Sequence, residues 1–277
     1  MHQEHKVQNQ PRSRENFSRA KEDFLQSFAH WRIFLVIGIS DIRKRYARSR
    51  LGQFWLTLSF IINISAIGVV WSYLFKMPIA EYLPFLAVSM IFWTYTSTCI
   101  TEGLNSYISS SSYLRELNIP KLTYVNSVFV RNLIVLCHNL LVLIPIYFFF
   151  SLKISAINII FSILGLVLTS IFLFPVIVII SLATLRFRDL PNIINALMQI
   201  VFYVTPIMWK ASLMPERFHK YLVLNPFAVM LSICRDPLFG NEVSNTYWVA
   251  AIIYIILACS LAITFFSRYR SRIVYWI

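Results

Sequence analysis

The sequence predicts an all-α polytopic membrane protein. Six transmembrane helices are preceded by an amphipathic interface helix and broken by re-entrant helices between spans five and six. Three observations predict this. Hydrophobic residues make up 58% and charged residues 13% of the 277-residue chain, whereas a soluble domain is about 25% charged. The apolar residues gather into runs of membrane-span length, for a mean hydropathy of +0.65. The charge is lopsided, 25 Lys and Arg against 12 Asp and Glu, and the cations cluster beside alternate ends of the apolar runs. Nucleic-acid binding is excluded by the same placement, because phosphate contacts need cations gathered on one soluble face.

Residues 1–15 are polar and read as disordered. From Phe17 a helical period begins, with Phe17, Phe24, Leu25, Phe28, Trp31 and Leu35 on one face and Arg19, Lys21, Glu22 and Asp23 largely elsewhere. Such a helix lies in the membrane interface. Its apolar continuation, 33–39, is too short to span. The first thirty residues hold no uninterrupted apolar stretch of the signal-peptide kind, so the N-terminus is expected in the cytoplasm. Arg43, Lys44, Arg45, Arg48 and Arg50 then stand directly before the first long apolar run, where anionic headgroups and the positive-inside bias hold them cytoplasmic. Residues 1–53 therefore form a cytoplasmic tail and interface helix, and 54–277 a transmembrane domain.

The spans are expected at 54–75, 83–107, 122–150, 157–185, 193–209 and 247–266. Pro120 suits the first position of the third helix, where its missing N–H costs little. Between spans five and six, Pro206, Pro215, Pro226 and Pro237 interrupt an apolar region. Broken helices survive at membrane depth only when buried in protein or lining a wet cavity, hence the re-entrant reading. Charge supports this topology: eighteen of the 25 Lys and Arg fall on the proposed inner side and six on the outer, with Arg131 alone inside a span. Both termini are thus expected in the cytoplasm.

Glu102 and Arg131 are the informative intramembrane charges. Each lies about 15–17 Å from the first inner loop at 1.5 Å per residue, so they can meet across neighbouring helices. An isolated ion at that depth costs about 3 kcal/mol. Pairing is therefore expected, either as a gate along a passage or as a structural bridge. Phe92, Trp93, Tyr95 and Tyr107 offer faces on which sugar rings can slide and are candidate channel-lining residues, although aromatics at helical spacing also serve as core. No catalytic motif, phosphate-binding loop or metal-ligand spacing occurs, and Cys99, Cys137, Cys234 and Cys259 show no ligand pattern. The chain is expected to do no covalent chemistry and to hold no cofactor or metal; a pump of this kind takes its energy from a partner.

The segment Asp41-Ile-Arg-Lys-Arg-Tyr-Ala-Arg-Ser-Arg-Leu-Gly-Gln-Phe-Trp55 resembles the leading sequence of type-2 ABC permeases that export polysaccharides. So do the inner loop Tyr113-Leu-Arg-Glu-Leu-Asn-Ile-Pro-Lys121 and Phe187-Arg-Asp-Leu190. The outer pieces Thr205-Pro-Ile207, Pro215-Glu216, Asn225-Pro226 and Arg235-Asp236 look like that family's re-entrant region. The likeness is dispersed but collinear over about residues 40–270. It departs at Ser40, where relatives often have Arg, and in 56–64, which lack the Pro that often follows the Trp. The missing Pro leaves the first helix unkinked and alters the shape of a lateral entrance.

The resemblance implies a homodimer in the bacterial cytoplasmic (inner) membrane, driven by two copies of a separate ATPase that hold ATP and Mg. Its substrate would be an undecaprenyl-linked glycan such as O-antigen, teichoic acid or capsule. It further implies that Arg115, Glu116, Asn118 and Pro120, with Arg188 and Asp189 beside them, dock on the ATPase; otherwise they form only tight inner turns. Arg43, Arg45, Arg48 and Arg50 become candidates for a substrate entrance that attracts pyrophosphate. A drug or lipid exporter of the same architecture is the alternative. A membrane glycosyl- or acyltransferase would need a carboxylate or histidine constellation that is missing here.

Overall fold

A computed structural model describes residues 12–47, 49–52, 54–117, 119–150 and 155–277. Every regular element among them is helical. Two helices precede the spans, α1 (Arg12–Ala29) and α2 (Trp31–Tyr46). The single interface helix expected from Phe17 onward is thus broken at His30, whose ring nitrogen Nδ1 lies 2.8 Å from the Gln26 carbonyl. On α1 the residues turned into the protein are Ala20, Asp23 and Ser27, while Phe17, Phe24 and Phe28 stay exposed, as does Trp31 at the start of α2. That inversion, with polar groups inward and aromatics outward, is what lipid on one side and protein on the other select.

The first spans are α3 (Phe54–Leu74) and α4 (Ile79–Gly103). α4 is buried along most of its length, the pattern of a central helix. It packs against α3 and against five helices introduced below. It begins four residues before the expected 83, directly after Pro78, and ends at Gly103. Tyr107 consequently lies outside it, in the short helix α5 (Ser106–Ser109), which leads into α6 (Ser111–Glu116).

The third apolar stretch is α7 (Leu122–Leu140) continued by α8 (Leu143–Phe150), and the fourth is α9 (Ala156–Arg186). α10 (Leu190–Val204) follows, only 15 residues long against the expected 193–209. Pro206 is the reason: the residue before a proline avoids helical backbone, and Thr205 is extended. At about 22 Å this helix falls short of a hydrocarbon core of about 30 Å. Among the described residues five stretches are long and apolar enough to cross a membrane: Phe54–Leu74, Ile79–Gly103, Leu122–Phe150, Ala156–Arg186 and Asn245–Trp276.

Between α10 and the last long helix lie α11 (Glu216–Leu222) and α12 (Pro226–Arg235), followed by α13 (Asn245–Tyr269) and α14 (Ile273–Trp276). The Asn225 side chain accepts from the backbone N–H of Phe227 and Ala228, at 3.0 and 3.3 Å. With Pro226 at the first helical position this makes a complete N-cap. α12 is buried among α4, α9 and α13. Gly165 on α9 permits the contact, because a Cβ there would stand 2.3 Å from the Ile233 carbonyl oxygen. Ser162, one turn earlier, donates to the Cys234 carbonyl at 2.6 Å. In the same way Gly38 lets α2 approach α7, where a Cβ would lie 2.9 Å from the Ser127 carbonyl oxygen.

Candidate functional site

The close approach at Gly38 places the end of α2 beside the middle of α7, and there the chain's intramembrane charges gather. Arg131 Nε donates to Glu102 Oε2 at 2.6 Å, and its Nη1 donates to Asp41 at 2.8 Å. Arg45 donates to the other Glu102 oxygen at 2.9 Å, and Asn132 Nδ2 reaches Glu102 Oε2 at 3.1 Å. Glu102 and Arg131 therefore meet, and each has a second partner of opposite sign on α2. The burial is graded: the Arg131 side chain is 12% exposed and that of Arg45 46%. Burial by itself would lower the pKa of Arg45. The hydrogen bond and charge of Glu102 outweigh it and hold the guanidinium above its ordinary value.

Beside this network opens a cavity of about 650 Å³, walled by Asp41, Lys44, Arg45, Glu102, Asn105 and Arg131. Lys44 is in no ion pair among the described residues. Arg43 and Arg50 are exposed nearby in the chain, and Arg48 lies outside the described residues. The arrangement offers anions a wet, cation-bearing recess at the end of the bundle that carries the basic flanks. Its carboxylates already compete for two of the cations.

The segment between α5 and α7 exposes Tyr113, Arg115 and Glu116 on α6 and Leu117 just after it, while Leu114 is turned into the protein. Pro120 is half-buried, and Asn118 lies outside the described residues. The second loop exposes Arg186, Phe187, Arg188 and Asp189. Arg188 also donates to the Trp276 carbonyl at 3.0 Å, which ties the C-terminal turn to this loop.

A third polar centre was not among the sequence candidates. Asp23, 1% exposed, accepts from the backbone N–H groups of Lys121 and Leu122, both at 3.1 Å, and from Arg270 Nε at 2.7 Å. It thus caps the N-terminus of α7 from another helix and pins α1 to both α7 and the end of α13. Ser27, one turn along, receives Asn126 Nδ2 at 2.8 Å. Lys121 sits below its ordinary pKa, because burial and the nearby Arg270 outweigh the charge of Asp23. A signal existed: no Ser, Thr, Asp or Asn stands at 119–121 to cap so regular a helix. The acceptor had to come from elsewhere.

The aromatic candidates lie inside the helix bundle. Phe92, Trp93, Tyr95 and Tyr107 are buried in the core. Trp93 packs on Phe202 and Phe227, and the Tyr95 hydroxyl meets Ser170 at 2.8 Å. They lie on the central helix α4 and on α5, which packs on α7 and α9, so within one chain other helices surround them. On the opposite end, Arg235 is buried, donating to the Pro206 carbonyl and Asp236 while its guanidinium stacks over Phe85. It anchors α12.

Comparison with known proteins adds the following. Residues 33–239 match the ABC-2 type transporter family. The chain is 24% identical over 246 residues to an O-antigen export system permease protein RfbA of Klebsiella pneumoniae, covering 87% of this chain and 93% of that one. A second Klebsiella pneumoniae protein of the same name is 26% identical over 248 residues, with the same shares. One from Myxococcus xanthus is 23% identical over 211 residues, covering 69% of this chain and 74% of the relative.

Proposed function

The chain belongs to the ABC-2 type transporter family, and on that premise we propose that it is the membrane-spanning subunit of an ATP-driven exporter of a lipid-linked polysaccharide. One observation carries the substrate class: the likeness to O-antigen export permeases runs over 93% of the length of two of them. Such a subunit does no covalent chemistry. Two copies of a separate ATPase bind ATP and Mg on its cytoplasmic face, in the bacterial inner membrane.

In this reading α10 is the fifth of six spans, and α11 and α12 re-enter from the outer side. Residues 1–53 act as the interface unit and 54–277 as the transmembrane domain, with both termini cytoplasmic. The burial of the ten-residue α12 among longer helices supports re-entry, since broken backbone is tolerated at depth only inside protein. The homodimer comes with the family reading, and α10, whose Ile193, Leu197, Ile200 and Val204 form an open apolar strip at helical spacing, is the face we assign to it. Tyr203, 69% exposed beside that strip, offers an aromatic face to a passage between the two copies.

The mechanism follows from the charges. A pyrophosphate-linked head group is drawn to Arg43, Lys44, Arg45 and Arg50 at the recess. There it competes with Glu102 for Arg45, the more exposed of Glu102's two arginines. Freeing Arg45 loosens α2, while the Arg131–Glu102 pair keeps α4 and α7 together. ATPase closure pushes on Arg115, Glu116 and Pro120, and on Arg188 and Asp189. Asp23 transmits that push, because it grips Lys121 and Leu122 at the far end of the first loop. Deleting the gene is expected to remove the surface polysaccharide and leave its lipid-linked precursor inside the cell. Unchanged surface polysaccharide would refute the proposal.

A further inference from the structure

An apolar groove of about 300 Å³ runs between α1, α9 and α13. Phe17 and Phe24 wall it from α1, Pro175 and Val178 from α9, and Cys259, Ala262 and Phe266 from α13. The spacings 17, 21, 24 and 259, 262, 266 each put one helix face toward it. Phe24 meets Phe174 edge-on at 6.1 Å along the same wall. The one charged residue on the lining is Lys21, between Phe17 and Phe24 on the α1 face. Among the described residues Lys21 is in no ion pair. Neighbouring Asp23 is already committed to Arg270 and the α7 N-terminus.

We propose that this groove is a binding site for one acyl chain of an anionic phospholipid whose phosphate rests at Lys21. Depth argues for it. Pro175 and Cys259 lie about 14–17 Å, at 1.5 Å per residue, from Arg186 and Arg268 at the basic ends of their helices. One leaflet of hydrocarbon is about 15 Å thick. The groove therefore extends about one leaflet's depth from the basic ends of α9 and α13. Its volume holds a single chain, whereas an undecaprenyl tail is several times too long for it. Charge argues for the sign of the headgroup, because a lysine stem lies along apolar surface while its ammonium stays at the interface. The occupant fills the gap under an interface helix that Asp23 fixes at one point, and so helps to set the angle at which α1 lies on the bundle.

The test uses the full chain with its ATPase, reconstituted in nanodiscs of equal phosphatidylglycerol and phosphatidylethanolamine with added undecaprenyl phosphate. The complex is then extracted in mild detergent and weighed by native mass spectrometry. One phosphatidylglycerol retained per permease chain is expected. Lys21→Ala should reduce that retention about five-fold, and Ala262→Phe should abolish it by filling the groove. Equal retention of phosphatidylethanolamine, retention of undecaprenyl phosphate instead, or no lipid on the wild-type complex would each overturn the proposal. If Ala262→Phe does not assemble, the exposed Lys21→Ala variant decides alone, and unchanged retention there refutes the site.

Discussion

Replacing Arg131 with Met should destabilise the bundle more than replacing Arg45 at the same charge network. Arg131 makes two charge-assisted bonds, to Glu102 at 2.6 Å and to Asp41 at 2.8 Å. Removing one member of a buried pair costs about 3–5 kcal/mol, because the orphaned charge stays behind. Here Arg45 and Asn132 still reach Glu102, and Asp41 has access to solvent, so the expected loss is about 2–3 kcal/mol. Arg45→Met removes a bond from a side chain nearly half open to solvent and should cost about 1 kcal/mol or less. Pairing Arg131→Met with Glu102→Leu removes both charges. That double variant should recover at least about 1 kcal/mol relative to the sum of its singles. The assay is thermal denaturation of the purified permease–ATPase complex in nanodiscs, comparing all four variants with wild type. The reasoning fails if Arg45→Met proves as damaging as Arg131→Met, or if the double variant loses the full sum of its singles.

Other predictions follow from the same contacts. Asp23→Ala removes a helix cap, by itself about 0.5–2 kcal/mol, together with the Arg270 pair; α1 should lift, seen as faster thiol labelling of Ser27→Cys in the Asp23→Ala background than in the parent. Gly165→Ala should cost about 1–3 kcal/mol by overpacking, because its Cβ meets backbone rather than a movable side chain; the readout is the yield of monodisperse complex. Arg115→Ala with Glu116→Ala touches only exposed groups of α6 and should leave permease folding unchanged while lowering stimulation of the ATPase; full stimulation would remove this loop from the coupling surface.

Much of the fold was legible because hydropathy and span length are local properties, and α3, α4, α7 with α8, α9 and α13 lie close to where the apolar runs placed them. The meeting of Glu102 and Arg131 was legible for a related reason, since helical rise converts sequence distance into depth. Asp41 and Arg45 were not recognised as their partners, because that depends on how α2 crosses α7, and a Cβ missing at Gly38 decides it. The burial of the α4 aromatics had a signal in the neighbouring hydroxyls: Thr94, Ser97, Thr98 and Thr101 recur at helical spacing and form the half-buried side of α4, and Phe92, Trp93 and Tyr95 fall off that stripe. The end of α10 was drawn five residues too late, at 209 rather than 204, because the apolar run continues past Thr205 whereas Pro206 stops the helix there. Asp23 escaped notice for the opposite reason. Its role is set by a deficiency ninety-eight residues away, at the uncapped start of α7.

The most direct measurement is transport itself. The permease and its ATPase are reconstituted in vesicles whose outer, ATP-accessible leaflet is loaded with an undecaprenyl-diphosphate glycan, and an impermeant glycosidase is added outside at intervals. The account predicts that ATP moves the glycan into the lumen, so that a growing fraction becomes protected from the enzyme, and that Arg43 and Arg45 changed together to Gln slow this while leaving the complex assembled. Glycan that stays fully digestible in the presence of ATP, with a complex that hydrolyses ATP normally, would contradict it.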